Sequence, residues 1–147
     1  MTTTVRQVLD AKGGKAFCVA PGVTAFEALG LMAEHNIGAV LVTDNERLVG
    51  IFTERDYARK VVLKGLRSTD VSVRELMTTS PATVGMDQTV DEVMNIMTEK
   101  RFRHLPVLEN GRIAGIISIG DVVKSVIDQQ RRTISHLSNY IAGDIAT

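Results

Sequence analysis

Two short segments of the sequence place a hydroxyl and a carboxylate three residues apart at the predicted start of a helix. The segment ending at Asp56 reads Gly-Ile-Phe-Thr-Glu-Arg-Asp, and the segment ending at Asp121 reads Gly-Ile-Ile-Ser-Ile-Gly-Asp. Both reduce to Gly-Ile-apolar-(Ser/Thr)-x-x-Asp, with the hydroxyl on Thr53 or Ser118. A helix start offers free backbone amides and the positive end of the helix dipole. These side chains could therefore hold a polyhydroxylated, anionic small molecule.

The same pattern is also a common local helix cap. A threonine or serine hydroxyl accepts a hydrogen bond from a nearby backbone amide of the first turn, with no ligand involved. The recurrence of the pattern, each time after the same Gly-Ile-apolar strand end, favours a duplicated ligand cleft, because a duplicated cap needs no particular strand before it. The residues alone leave both roles open.

The two segments belong to a longer internal repeat whose copies lie 65 residues apart. Residues 19–57 align with residues 84–122, and 11 of the 39 aligned pairs are identical. Two copies are too few for a solenoid, in which the inner repeats need neighbours on both sides. We therefore predict a pseudosymmetric pair in which each unit buries one face against the other.

Each copy contains the same order of predicted elements. A short apolar strand precedes a Thr-x-x-Glu capping box, which begins at Thr24 in the first copy and at Thr89 in the second. Apolar residues at helical spacing follow. Two apolar runs separated by the polar segments 44–46 and 109–111 then predict a β-hairpin with a loop of about three residues. A second helix begins at the aspartate motif, so the predicted class is α/β (α+β), built from two β-α-β-β-α units.

The overall composition argues against several classes of function. The formal net charge is +0, whereas a general nucleic-acid binder needs a surplus of lysine and arginine. The single cysteine, Cys18, excludes an internal disulfide framework and a multi-thiolate zinc site. The histidines lack metal-ligand spacing and no group of residues suggests catalysis, so we expect neither a metal site nor a catalytic cofactor nor an enzyme. Without an apolar run near the ~20 residues of a membrane span, and without a secretory signal, we expect a cytoplasmic protein.

The repeat resembles a pair of cystathionine-β-synthase (CBS) domains, the arrangement called a Bateman module. The resemblance runs from about Val5 to Asp128 and is most specific in residues 101–107 and 117–123. Residues 53–57 and 137–141 are further similar to stand-alone CBS-pair proteins of bacteria and plant organelles. The resemblance implies two CBS units packed as one Bateman module. The implied boundaries are a first CBS domain at residues 5–66, a second at residues 72–130 and a C-terminal helical tail at residues 131–147.

The resemblance also implies a site for an adenine nucleotide, such as AMP, ADP, ATP or NAD, in the clefts between the copies. In CBS pairs the motif aspartate, here Asp56 or Asp121, accepts hydrogen bonds from the ribose hydroxyls. The motif hydroxyl, here Thr53 or Ser118, lies nearby. The adenine pocket is walled by the short first strand and by the start of the next strand. The matching residues are Cys18, Val19, Ile37, Gly38 and Ala39 in the first copy and Thr83, Val84, Arg103, His104 and Pro106 in the second.

The two copies differ where phosphate would bind. The second copy has Arg103 and His104 where the first has Gly38 and Ala39, and we expect Arg103 and His104 to contact phosphate. Arg55 is a candidate for phosphate contacts in the first copy. The clefts should therefore differ in ligand or in affinity.

Further differences bear on the same question. The first copy has Cys18 where the second has Thr83, which removes a hydroxyl donor and puts full occupancy of the first site in doubt. Lys100 and Arg101 end a predicted helix, and we expect them to be solvated rather than to contact phosphate.

The leading functional interpretation is a regulatory, energy-sensing module. An adenine nucleotide would bind between the units and shift a conformational equilibrium that an unidentified protein partner reads. The alternative is a ligand-independent interaction or scaffold protein that acts on a partner such as a thioredoxin-type protein. A homodimer is expected in both cases.

Overall fold

The computed structural model describes residues 3–13 and 15–146 of the chain. The last residue of the predicted tail, residues 131–147, lies outside this described part. The helices and strands follow the order that the repeat predicts. In chain order they are α1 (Val5–Lys12), β1 (Cys18–Val19), α2 (Ala25–His35), β2 (Ala39–Asp44), β3 (Arg47–Thr53), α3 (Glu54–Tyr57, continued by a π-helix at Ala58–Val62), α4 (Val73–Leu76), β4 (Thr78–Thr79), β5 (Val84–Gly85), α5 (Val90–Lys100), β6 (His104–Glu109), β7 (Arg112–Ser118) and α6 (Ile119–Ala146).

Each copy of the repeat folds into its own sheet. The first sheet has the order β1-β2-β3-β4 and the second the order β5-β6-β7. In both, the short first strand pairs in parallel with the next strand, which forms an antiparallel hairpin with the third. An irregularity interrupts the two hairpins at matching positions, after Val42 and after Val107. The predicted α+β class and the predicted pair of similar units are confirmed.

The hairpin turns are shorter than predicted. β2 ends at Asp44 and β3 begins at Arg47, so Asn45 and Glu46 alone connect them. Both connecting residues have positive φ angles, 51° and 64°, and the second hairpin repeats this at residues 110–111. A two-residue turn with positive φ at both positions matches the right-handed twist of the flanking strands. The strands can therefore pair up to the turn without a third loop residue.

The predicted capping boxes of the longer helices form only in part. The hydroxyls of Thr24 and Thr89 accept hydrogen bonds from the amides of Glu27 and Glu92, both at 3.1 Å. The reciprocal contact from each glutamate carboxylate is not formed within the described residues. Each capping threonine instead forms an isolated β-bridge to the segment that leads into a neighbouring helix, Thr24 to Ser72 and Thr89 to the residue before α1.

Helix α1 packs against the second unit, although it precedes the first unit in the sequence. Val5, Val8 and Leu9 are buried in the hydrophobic core that β5, α5, β6 and β7 form. At the surface, the Arg6 guanidinium lies 2.6 Å from the carboxylate of Glu109 in β6. The segment 5–12, which the sequence assigns to the first domain, therefore contributes to the core of the second.

Helix α4 does the reverse, since it directly precedes the second unit in the sequence but packs against the first. Val73 and Leu76 are buried with residues of α2, β2 and β3 in the core of the first unit. The two sheets meet in a smaller cluster, in which Ile116 of the second unit packs against a group of buried residues of the first unit that includes Leu41 and Ile51. This contact joins the units and brings the start of β2 close to the start of β6. The helix that carries each aspartate motif begins beside that junction.

Candidate functional site

A cleft of about 600 Å³ lies between the two units. Its walls come from the end of β3 and the start of α3 in the first unit, and from the segments before β5 and before β6 in the second. The lining residues are Gly38, Ile51, Thr53, Glu54, Arg55, Asp56, Arg59 and Lys60, together with Thr78, Pro81, Ala82, Lys100, Arg101, Phe102, Arg103, His104 and Leu105. We call this space the first cleft.

Asp56 is held rigidly in the wall of the first cleft. Its Oδ2 accepts hydrogen bonds from the Thr53 amide at 3.0 Å and from the Thr53 hydroxyl at 3.1 Å. The Thr53 Oγ1 in turn accepts from the Asp56 amide at 3.1 Å, which completes a capping box. The Lys60 ammonium lies 3.3 Å from the other carboxylate oxygen, Oδ1. The motif therefore is a helix cap, and it also fixes a carboxylate at the edge of an open cleft.

The first cleft concentrates positive charge. Among the described residues that line it, the carboxylates of Glu54 and Asp56 face a larger number of cationic side chains. These cations are Arg55, Arg59, Lys60, Lys100, Arg101 and Arg103. Because the chain as a whole has a formal net charge of +0, this excess is local. Lys100 and Arg101 are exposed at the end of α5, as expected, but they also line the cleft and so belong to its electrostatic surface.

The cleft combines residues of opposite copies. Sequence comparison predicts that the two clefts differ in ligand or affinity, because the first copy carries Gly38 where the second copy carries Arg103. The structure instead places Arg103 and His104 of the second unit in the same cleft as Asp56 of the first. The reason is that the starts of β2 and β6 meet at the junction, where a Cβ built on Gly38 would lie 3.5 Å from the His104 ring. The aspartate of the first copy thus shares its cleft with the cation-rich segment of the second copy, while the effect of Cys18 on occupancy of the first site stays a prediction.

His104 lies between the two aspartate motifs. Burial lowers the pKa of its imidazole, the charges of Lys12 and Arg103 lower it further, and Asp121 opposes them. The net pKa lies below the ordinary value of a histidine. A neutral imidazole can both donate and accept a hydrogen bond, which suits recognition of a polar ligand edge.

The lowered pKa of His104 predicts a loss of stability on mild acidification. Protonation is less favourable in the folded than in the unfolded state, so this contribution is intact above the unfolded pKa of about 6.5 and is lost as the pH falls towards the folded pKa. We expect His104→Gln to lose less unfolding free energy than the unaltered chain between about pH 7.5 and about pH 5. Urea denaturation at both pH values measures this difference. His136→Gln, on the exposed part of α6, is the matched control, and an equal loss in both variants would contradict the assignment.

The second aspartate motif has different surroundings. Asp121 Oδ2 accepts from the Ser118 amide at 2.9 Å, and Ser118 Oγ accepts from the Asp121 amide at 3.1 Å. The same Oδ2 lies 2.9 Å from the ammonium of Lys12, at the end of α1. Burial raises the pKa of Asp121, but the hydrogen bonds from Lys12 and Ser118 outweigh it and bring the pKa below its ordinary value. Asp121 is therefore held as a carboxylate in an ion pair.

The remaining residues predicted for the adenine walls are distributed more widely. Thr83 is exposed and Val84 is buried in the second unit's core, while the neighbouring Pro81 and Ala82 line the first cleft. Pro106 is buried within β6. In the first copy, exposed Cys18 and partly buried Val19 form β1, partly buried Ile37 precedes β2, and Ala39 is buried at the sheet junction.

Lys60 is a cleft residue that was not predicted. It lies four positions after Asp56, and residues with this spacing share one face of a helix. Its ammonium also donates a 2.7 Å hydrogen bond to the backbone carbonyl of Leu76, at the end of α4. The helical spacing could have identified it, whereas its contact with α4 depends on tertiary structure.

Other features of the described residues point away from different chemistry. Although Cys18 is exposed by its surface area, neighbouring atoms partly desolvate its thiol and raise the pKa, which disfavours a reactive thiolate. No cluster of three or more potential metal ligands is present in residues 3–13 and 15–146. Within the same ranges, no helix combines the length and the apolar character needed to cross a membrane.

Comparison with protein families gives an independent assignment. The family model described as "CBS domain" matches residues 2–63 and 73–128. The mitochondrial CBS domain-containing protein CBSX3 of Arabidopsis thaliana is 36% identical over 152 residues, which cover 97% of this chain and 73% of the relative. Each matched segment contains one copy of the internal repeat, residues 19–57 or residues 84–122.

Solved structures agree with this assignment. A putative signal-transduction protein with CBS domains from Burkholderia ambifaria is 50% identical, with a TM-score of 0.84, and the match covers 87% of this chain and 96% of that one. The CBS domain pair of protein MJ0100, solved with 5'-methylthioadenosine and S-adenosyl-L-methionine, is 25% identical, with a TM-score of 0.75 and coverage of 84% and 99%. The chain therefore belongs to the CBS-domain family, and its two repeat units are a CBS-domain pair of the Bateman type.

Proposed function

We propose that the protein is a regulatory module that binds an adenine nucleotide in the first cleft and is not itself an enzyme. The observation that carries this proposal is the combination of a fixed carboxylate, Asp56, with an excess of cationic side chains in one cleft of about 600 Å³. That volume lies within the range of small-molecule sites. A nucleotide has the complementary composition, with a hydroxylated ribose beside an anionic phosphate group.

The ribose end of the ligand is assigned to Asp56. A carboxylate accepts hydrogen bonds from both vicinal hydroxyls of a ribose, and each charge-assisted bond contributes about 1.5 to 3 kcal/mol. Asp56 needs little reorganisation to do so, because Thr53 and Lys60 already orient it. The adenine would lie towards Pro81 and Ala82, where the lining is more apolar.

The adenosyl compounds bound by the CBS pair of MJ0100 support the adenosine part of the proposal. These two compounds are ligands of that protein, and neither contains a phosphate group. The phosphate part of the proposal comes from the arginines and lysines of this chain. Arg103 and Arg55 line the cleft from opposite units, so a phosphate chain bound to both would couple occupancy to the relative position of the units.

The charge of the first cleft predicts an order of affinities. We expect affinity to rise from adenosine to AMP to ADP and ATP, by roughly 3- to 30-fold per added phosphate at low salt, because each phosphate adds charge-assisted contacts. Raising the salt concentration should reduce the difference, because partly exposed charges are screened. Isothermal titration of the four ligands at two salt concentrations measures both effects. Equal affinity for adenosine and ATP at low salt would refute the proposed phosphate contacts.

A second candidate function, a dimeric interaction or scaffold protein, is favoured by α6. Its C-terminal part extends beyond the units, and Ile134, Leu137 and Ile141 are 63%, 57% and 56% exposed. Exposed apolar residues at helical spacing are suited to contact with another protein surface. Sedimentation of the chain with and without residues after 130 would test this role, which is compatible with nucleotide binding.

A further inference from the structure

The two copies differ in the segment that leads from the preceding helix into the first strand. Thr4 begins a capping box at the start of α1, and Ser72 begins the matching one at the start of α4. With these two residues aligned, Leu9 corresponds to Met77. The same correspondence holds in space, because Leu9 packs against the central glycine of β7 and Met77 packs against that of β3.

The segment is three residues longer in the first copy. Val19 follows Leu9 by ten positions, whereas Val84 follows Met77 by seven. The extra residues extend α1 as far as Lys12, while α4 ends one residue before Met77. Lys12 therefore has no counterpart in the second copy.

Lys12 takes the place of a strand that, in the described part of the chain, is found in the first unit and not in the second. In the first unit, β4 pairs with β3, with Thr78 opposite Ile51. In the second unit the corresponding position is Ile116, and its backbone carbonyl accepts a hydrogen bond from the Lys12 ammonium at 3.1 Å. The Lys12 side chain thus reaches the edge of β7 at Ile116. The counterpart of Ile116 in the first unit is Ile51, which lines the wall of the first cleft.

The same ammonium holds the second aspartate. It lies 2.9 Å from Asp121 Oδ2, and the two side chains are 32% and 18% exposed. In the first cleft, Ile51 and Asp56 line the open space. Their counterparts Ile116 and Asp121 are instead bridged by one cation, so Lys12 occupies the place that corresponds to the ribose end of the first cleft.

The second unit's counterpart of the first cleft is the space beside Ile116 and Asp121, which we call the second cleft. We propose that Lys12 closes the second cleft and that the chain binds a single nucleotide, in the first cleft. This inference rests on the proposed function. Lys60 also pairs with Asp56, but both side chains line an open cleft. Lys12, in contrast, joins Asp121 to the backbone carbonyl of Ile116. A ribose at Asp121 would have to displace this ammonium, which is tethered to a packed helix. The duplication therefore produces one open site and one site filled by the chain itself.

The test is the stoichiometry of ATP binding by the full chain, measured by isothermal titration. We expect one equivalent per chain for the unaltered protein and for Lys12→Arg, which keeps the cation. Lys12→Ala removes the ammonium and is expected to bind a second, weaker equivalent. Lys64→Ala removes an exposed lysine that does not belong to the lining of the first cleft, and it should leave one equivalent.

The outcomes separate this inference from the proposed function. If the unaltered chain bound two equivalents of ATP, the inference about Lys12 would be overturned, but the proposed nucleotide binding would stand. This outcome does not depend on the folding of any variant. A single equivalent for folded Lys12→Ala would do the same. Absence of ATP binding by every variant would overturn both, because Lys12→Ala would then open no site.

Discussion

Asp56→Asn is expected to weaken ATP binding by roughly 30-fold, which corresponds to about 2 kcal/mol. The amide keeps the size of the side chain but removes the negative charge and one of the two acceptor oxygens that a ribose would use. The effect should be a loss of affinity without a change in stoichiometry. Isothermal titration of the variant with ATP measures it directly.

The capping role of Asp56 must be separated from ligand binding. Losing the carboxylate of a capping box should lower the unfolding free energy by about 1 kcal/mol at most. Glu75→Gln, in the capping box of α4, makes the same change away from the first cleft and is expected to leave ATP affinity unaltered. If folded Asp56→Asn bound ATP as tightly as Glu75→Gln does, Asp56 would be a helix cap and nothing more.

Val5→Asp is expected to cost roughly 3 kcal/mol of unfolding free energy, because it places an unpaired carboxyl group in a dry core. Val5 is 0% exposed and packs with residues of the second unit. Urea denaturation gives the total loss. Hydrogen exchange gives its location, with faster exchange expected in β6 and β7 than in β2 and β3.

Ala11→Asp is the control for that substitution. It makes the same chemical change on an exposed position of α1 and should cost about 1 kcal/mol or less. If Val5→Asp accelerated hydrogen exchange only in β2 and β3, this would contradict the packing of α1 against the second unit.

The elements of this fold are largely predictable because they are specified by local patterns. The threonine caps, the helical spacing and the apolar hairpin strands occur in both copies, so each copy supports the interpretation of the other. The turn at Asn45 and Glu46 was predicted one residue too long, because its length is set by the twist of the paired strands and not by how many polar residues lie between them.

The site was predictable only in part. Asp56 and Asp121 are evident from the motif, but the motif does not say that Asp56 shares a cleft with Arg103 of the other copy. That pairing arises where β2 and β6 meet, and the meeting depends on long-range packing. The role of Lys12 has a local cause, since three extra residues lengthen α1, but the difference becomes visible only when the capping boxes are aligned instead of the strands.

The contrast between the clefts gives the duplication a physical interpretation. Both units keep a capped aspartate that pairs with a lysine, but Asp56 lines an open cleft with additional cations, while the lysine at Asp121 also bonds the Ile116 carbonyl. One site is therefore suited to an anionic ligand from solution, and the other is bridged by a side chain of the chain itself. The two units share a fold and need not share a ligand.

Thermal unfolding of the purified chain with AMP, ADP, ATP and NAD is the most direct test of nucleotide binding. At a free ligand concentration 100 times the dissociation constant, binding to the folded state alone adds about 2.7 kcal/mol to the unfolding free energy. For a chain of this size, the unfolding temperature should then rise by several degrees with at least one of the four, most of all with ATP. An unchanged unfolding temperature with all four nucleotides at millimolar concentration would contradict the proposed function.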